Sequence, residues 1–144
     1  MSKIAVIIYG PPGAGKGTQA NLLAWRKGFI HFDTGKYLEQ LVHDPANKNN
    51  KVIQRERKLF DAGILMTPSF VLKVASDKTK EIAEAGFNIA FSGSPRTVFE
   101  AFGQSADLRG PERGLTRKIK GLIKILEKEY GKKNIHPILL DIDP

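Results

Sequence analysis

The sequence predicts an α/β fold, a mostly parallel sheet of about four strands with helices on both faces. Three observations predict it. Short β-branched runs with little polar alternation, such as Lys3-Ile-Ala-Val-Ile-Ile-Tyr9, read as strands buried on both faces. Stretches with a helical apolar period lie between those runs, so strand alternates with helix. A glycine-proline stretch, Gly10-Pro-Pro-Gly-Ala-Gly15, joins the first run to the first helical stretch and fits the interior of neither. In such sheets ligands bind beyond the carboxyl ends of the strands. The informative loops are therefore 10–18, 32–35 and 92–97.

Taken in order, Lys16 to Lys27 reads as a helix with Ala20, Leu23 and Ala24 on one face and Gly28 as its stop. Phe29-Ile-His-Phe32 is a weaker strand. Two short helices are expected between Asp33 and Gly63, Thr34–Val42 and about Val52–Ala62, joined by the polar link Asn47-Lys-Asn-Asn50. Such a pair between two strands reads as an inserted lobe, 34–66. Thr67-Pro68 signals the next helix, a capping hydroxyl followed by proline in the first turn. Val71, Val74, Ala75 and Ile82 give its period, and Gly86 ends it. Phe87-Asn-Ile-Ala-Phe91 is a third strand, after which a helix runs from Arg96 to about Phe102. Gln104–Gly114 reads as a mobile loop. Leu115, Ile119, Leu122 and Leu126 mark a basic amphipathic helix ended by Gly131, so 103–133 is a basic loop plus helix. Pro137-Ile-Leu-Leu-Asp-Ile142 is the last strand, and residues 1–144 read as one domain without repeats.

Composition narrows the function classes. There is no cysteine, which excludes a disulfide framework, cysteine-ligated zinc and a cysteine nucleophile in these residues. The apolar fraction of 41% against 26% charged suits a packed domain rather than disorder. No run is long enough to span a membrane, and a soluble, cytoplasmic monomer is expected. The formal charge is +8, and residues 109–133 hold nine basic against three acidic residues, +6 of that excess. Tyr130 is the only aromatic among these charges, so they read as a solvated helix face and not as a nucleic-acid surface.

Chemistry enters at Gly10-Pro-Pro-Gly-Ala-Gly-Lys-Gly-Thr18. Its glycines let backbone amides turn inward at a helix N-terminus, which makes a nest for anions, and Lys16 adds a point charge. The strict phosphate-loop pattern has Ser or Thr directly after the lysine; here Gly17 stands there and Thr18 follows. The loop, with Gln19 after it, resembles the P-loop of the adenylate kinases and related nucleoside monophosphate kinases. Asp33-Thr-Gly35, Gly63-Ile-Leu-Met-Thr67 and Gly93-Ser-Pro-Arg-Thr97 follow in the family's order. The resemblance runs from Ile4 to about Ala101 and from Ile138 to Asp143. It implies phosphoryl transfer from Mg-ATP to a nucleoside monophosphate, in the adenylate kinase form ATP + AMP to two ADP, with Mg2+ arriving with the ATP. Gly13, Ala14, Gly15, Lys16, Gly17 and Thr18 would hold the ATP phosphates. Thr34, Ile64, Leu65 and Met66 would border the monophosphate's base and sugar. Gly93, Ser94, Pro95 and Arg96 would hold its phosphate, and Lys16 and Arg96 would be the catalytic cations. A nucleotide-binding module with little or no turnover is the alternative.

This sequence departs from the family pattern in four places. Glu39 stands where an arginine is usual, with Lys36 on the same helix face. Ser92 stands where an aspartate is usual before Gly-x-Pro-Arg, and Asp141 is a possible substitute or a structural cap. Glu100 stands where the family has a base-reading glutamine. An ionised glutamate only accepts hydrogen bonds, which suits guanine better than adenine; the other reading of Glu100 is a solvent-facing helix residue. The chain also stops where the family's lid and last core strand would begin.

Overall fold

The computed structural model describes residues 2–104 and 119–141. Four strands form one parallel sheet: β1 (Ala5–Tyr9), β2 (Ile30–Phe32), β3 (Ile89–Phe91) and β6 (Ile135–Leu139), in the order β2-β3-β1-β6. The registers align Ala5 with Ile89 and with Ile135, and Ile30 with Ile89. The helices are α1 (Lys16–Lys27), α2 (Thr34–His43), α3 (Lys51–Asp61), α4 (Pro68–Glu84), α5 (Val98–Phe102) and α6 (Leu122–Tyr130). A second, two-stranded ribbon pairs β4 (Gly103–Gln104) with β5 (Ile119–Lys120) antiparallel.

Alternation along β1 sends successive side chains to opposite faces, and each face has its own core. Ala5 and Ile7 join Phe32, Ile89 and Phe91 beneath Leu72, Ala75, Ile82 and Ala83 of α4 and Leu122, Leu126 and Tyr130 of α6. Val6 and Ile8 join Ala90 and Ala20 of α1 on the other face. Helices thus cover both faces, as the unalternating runs require. Tyr130 pins the first layer: its hydroxyl donates to the Phe87 carbonyl at 2.9 Å, and burial, then the Glu129 charge, pushes its pKa up to about 12.

The expected strands and helices form, with three corrections. The last strand runs Ile135–Leu139 rather than 137–142, and it tolerates Pro137 because β6 lies at an edge of the described sheet. The basic helix does not include Ile119. That residue lies in β5, and extended Gly121 starts the helix at Leu122, so Gln104 belongs to a ribbon and not to a loop. Leu115 and the expected loop residues 105–114 lie outside the described residues. Thr67 occupies the cap position of α4, but its side chain makes no capping hydrogen bond there. The Glu56 carboxylate, fully buried on α3, instead accepts the Thr67 N–H at 2.9 Å and pairs with Arg55 at 3.3 Å.

Glu56 therefore ties the end of the helical pair α2–α3 to the start of α4. Burial pushes its carboxyl up, but the hydrogen bonds from Thr67 and the Arg55 charge outweigh that and hold it below its ordinary 4.5. Glu56→Ala leaves a backbone N–H without an acceptor and is expected to lower stability by about 1–3 kcal/mol in urea denaturation. A depressed carboxyl stabilises fully above 4.5 and loses that contribution as pH falls through its folded value. The wild-type advantage over Glu56→Ala should therefore shrink in acid and hold at neutral pH.

Candidate functional site

Three loops converge at the carboxyl ends of β1, β2 and β3. The first follows β1. Gly15 sits at the N-cap of α1 in the left-handed region, with φ 91°, where a side chain would be strained. A glycine cap offers no side-chain acceptor, and α1 has no acidic residue in its first turn. Its leading amides are left to an outside anion, favoured there by the helix dipole. Lys16 folds back over this turn, its Nζ donating to the carbonyls of Gly10 at 2.7 Å and Pro11 at 3.2 Å. The cation is thereby stationed beside the amides.

The second feature is a cavity of about 290 Å³ between the helical pair and the loop after β3. Of the residues the sequence assigned to a monophosphate, Thr34, Ile64, Leu65, Met66, Gly93, Ser94, Arg96 and Glu100 line it; Pro95 does not. Gly13–Thr18 do not line it either, so cradle and cavity are separate compartments. Leu38, Phe60 and Val71 complete an apolar wall that the sequence did not single out. Val71 carried only a helical period, and nothing local distinguishes a residue that turns to a cavity from one that turns to the core. Lys36 and Glu39 are both exposed and line no part of it, which leaves the charge reversal at Glu39 outside the pocket.

The polar groups of the cavity are largely spoken for. The Thr34 and Ser94 hydroxyls bond one another. Thr97 caps α5 by accepting the Glu100 N–H at 3.0 Å. Glu100 reciprocates with Oε2, which accepts the Arg96 N–H at 3.0 Å, an arrangement close to a capping box. Glu100 is buried, so the solvent-facing reading of it is corrected, and its Oε1 has no partner among the described residues. The Arg96 guanidinium lies against the Gly93 backbone: a Cβ there would stand 3.0 Å from Nη2. Arg96 is exposed and makes no ion pair among the described residues.

A third cluster was not foreseen. His31 Nδ1 donates to Asn21 Oδ1 at 2.7 Å, which leaves Nε2 to accept from the Ser92 hydroxyl at 2.6 Å. Ser92 thus spends its proton inward and keeps its lone pairs for an outside donor. Asp141, exposed beyond β6, caps no described helix. Among the described residues no group of three His, Cys, Asp or Glu could hold a metal ion.

The histidines report this geometry with opposite signs. Burial lowers His31, outweighing the nearby Asp33, with Lys36 adding to the fall. His43 is raised, first by its hydrogen bond to Asp61 and then by the Glu39 carbonyl. His31 therefore stabilises fully above 6.5 and loses that as pH falls through its folded value. His43 stabilises fully below 6.5 and loses that as pH rises through its own. Imidazole proton NMR should give midpoints on opposite sides of 6.5; a His31 midpoint above 6.5 would contradict its placement.

Comparison with known proteins agrees with this geometry. The AAA domain model matches residues 9–107. The adenylate kinase of Caulobacter sp. (strain K31) is 34% identical over 120 residues, covering 83% of this chain and 59% of that protein. The adenylate kinase of Caulobacter vibrioides (strain NA1000 / CB15N) is 32% identical over 134 residues, covering 89% and 68%. That of Francisella tularensis subsp. holarctica (strain OSU18) is 30% identical over 134 residues, covering 92% and 57%. The chain thus spans 57–68% of the length of these relatives. With its phosphate-loop geometry on a parallel sheet, the chain belongs to the adenylate kinase family of P-loop kinases.

Proposed function

We propose that the chain transfers a phosphoryl group from Mg-ATP to a nucleoside monophosphate, the reaction class in which ATP and AMP give two ADP. The observation that carries the reading is the pairing of an uncapped helix N-terminus under Lys16 with a separate cavity lined by Arg96, which has no ion pair among the described residues. One anion site takes the donor's phosphates and the other the acceptor's. Gly13–Thr18 would hold the triphosphate by backbone amides, Lys16 by charge. Residues 34–66 would act as the monophosphate lobe, with the acceptor phosphate at Gly93–Arg96 and its base and sugar against Ile64–Met66. An acceptor phosphate oxygen attacks the γ-phosphorus, the bond to the β-bridging oxygen breaks, and ADP leaves. Such transfer asks for positioning and positive charge, which a planar guanidinium supplies by bridging two oxygens. Magnesium would arrive with the ATP and offset charge on its phosphate oxygens, and the Thr18 hydroxyl, in the first turn of α1, would help to hold it.

One observation favours a second reading, a nucleotide-binding module with little turnover. Ser92 gives the end of β3 a hydroxyl bonded to His31 and not a carboxylate. ADP formation from ATP plus a monophosphate, compared with ATP affinity, separates the two readings.

The compartments should fail separately. Lys16→Ala removes a charge-assisted contact of about 1.5–3 kcal/mol, so ATP affinity should fall roughly ten- to hundredfold by calorimetry. Arg96→Ala should weaken a monophosphate over a similar range and leave ATP nearly unchanged. Equal ATP affinities in wild type and Lys16→Ala would remove the cradle assignment.

A further inference from the structure

We infer that the cavity selects a guanine-type base, one with a ring N–H beside an exocyclic amine, and that Glu100 makes the choice. The inference rests on the reading of the cavity as the monophosphate site. Its starting point is that, among the described residues, the two charged side chains of the lining keep unspent hydrogen-bonding capacity. Thr34 and Ser94 are bonded to each other, and Thr97 is committed to the Glu100 amide. Among the described residues Arg96 retains donors, since it makes no ion pair there. Glu100 retains acceptors: Oε1 is buried without a partner among the described residues, and Oε2 takes only the Arg96 N–H.

The two residues ask for opposite things. A phosphate satisfies Arg96 and is repelled by a carboxylate, so the ligand must bring donors to Glu100. A buried acceptor left unpartnered is unfavourable, and a ligand donor that reaches it offsets that cost. The apolar wall of Leu38, Phe60, Met66 and Val71 suits the faces of a flat ring but supplies no polar readout of its own. Guanine presents two adjacent donors, N1–H and the 2-amino group, which match the two oxygens of one carboxylate. Adenine presents one donor, its 6-amino group, next to the N1 lone pair, which faces the second oxygen unfavourably. Hypoxanthine has the N1–H without the 2-amino group and falls between them.

The test is calorimetric binding of GMP, IMP and AMP to the 144-residue chain and to Glu100→Gln. The amide is isosteric and still accepts from the Arg96 N–H, so the α5 cap survives, and its NH2 can donate to adenine N1. Wild type should bind GMP roughly ten- to hundredfold tighter than AMP, with IMP between. Glu100→Gln should shift the GMP-to-AMP ratio toward AMP by a similar factor. AMP bound as tightly as GMP by wild type overturns the inference, whatever the variant does. So does a ratio that Glu100→Gln leaves unchanged. The underlying reading fails differently: either none of the three monophosphates binds, or Arg96→Ala leaves all three affinities untouched. In both cases the base assignment falls with it. If Arg96→Ala weakens all three alike while wild type shows no base preference, the site stands and only the role of Glu100 is lost.

Discussion

The candidate site depends on the burial of β3 between β1 and β2. Ile89, Ala90 and Phe91 are each wholly buried, and the strand pairs in parallel on both sides. Three residues make few ladder bonds, so the side chains must hold it: Phe91 stacks edge-on against Phe32, and Ile89 and Phe91 pack under α4 and α6. Fully burying a large apolar side chain contributes about 1.5–3 kcal/mol. Inserting β3 there, out of chain order, sets the loop of Ser92–Thr97 between the phosphate loop after β1 and the Asp33–Gly35 turn after β2. Cradle and cavity share that edge of the sheet because one short strand does.

Polar groups around this edge are mostly paired with each other, and that economy makes the exceptions informative. The Thr34–Ser94 bond, the Thr97–Glu100 cap and the Asn21–His31–Ser92 chain together close off hydroxyls, an amide and an imidazole. Lys16 is stationed on loop carbonyls rather than buried in an ion pair. Among the described residues, the α1 amides, the charged Arg96 and one oxygen of Glu100 are left without partners. Two of these seek negative charge and one seeks donors. A ligand with phosphate at one part and N–H groups at another answers both demands.

The family pattern and the structure diverge at instructive places. Glu39 replaces a cation on paper, yet it is exposed on α2 and away from the cavity. Ser92 replaces a carboxylate, and its new partner His31 comes from β2, sixty-one positions earlier. The pair makes sense only as a unit, since a lone serine at a strand end would have no fixed proton direction.

Local chemistry in the sequence was enough for the strand-helix alternation, for α1 to the residue, and for the glycine-rich turn from Gly10 to Thr18. Those features depend on neighbours within a turn or two: burial on both faces shows as unbroken apolar runs, and glycine spacing shows as itself. Most of the cavity lining was also named in advance, by the resemblance to the nucleoside monophosphate kinases and, for Thr34, Gly93, Ser94 and Arg96, by the rule that parallel sheets bind ligands at strand ends. Tertiary structure decided the rest. Thr67 looked like a cap, and Glu56, eleven positions away on another helix, took the N–H instead. Ile119 kept a helical spacing with Leu122 and Leu126, and pairing with Gln104 drew it into a ribbon. Glu100 could equally have faced water; its burial follows from how α5 is capped and docked. Each of these outcomes turns on which distant group reaches a backbone N–H or an apolar surface first, and no local pattern encodes that.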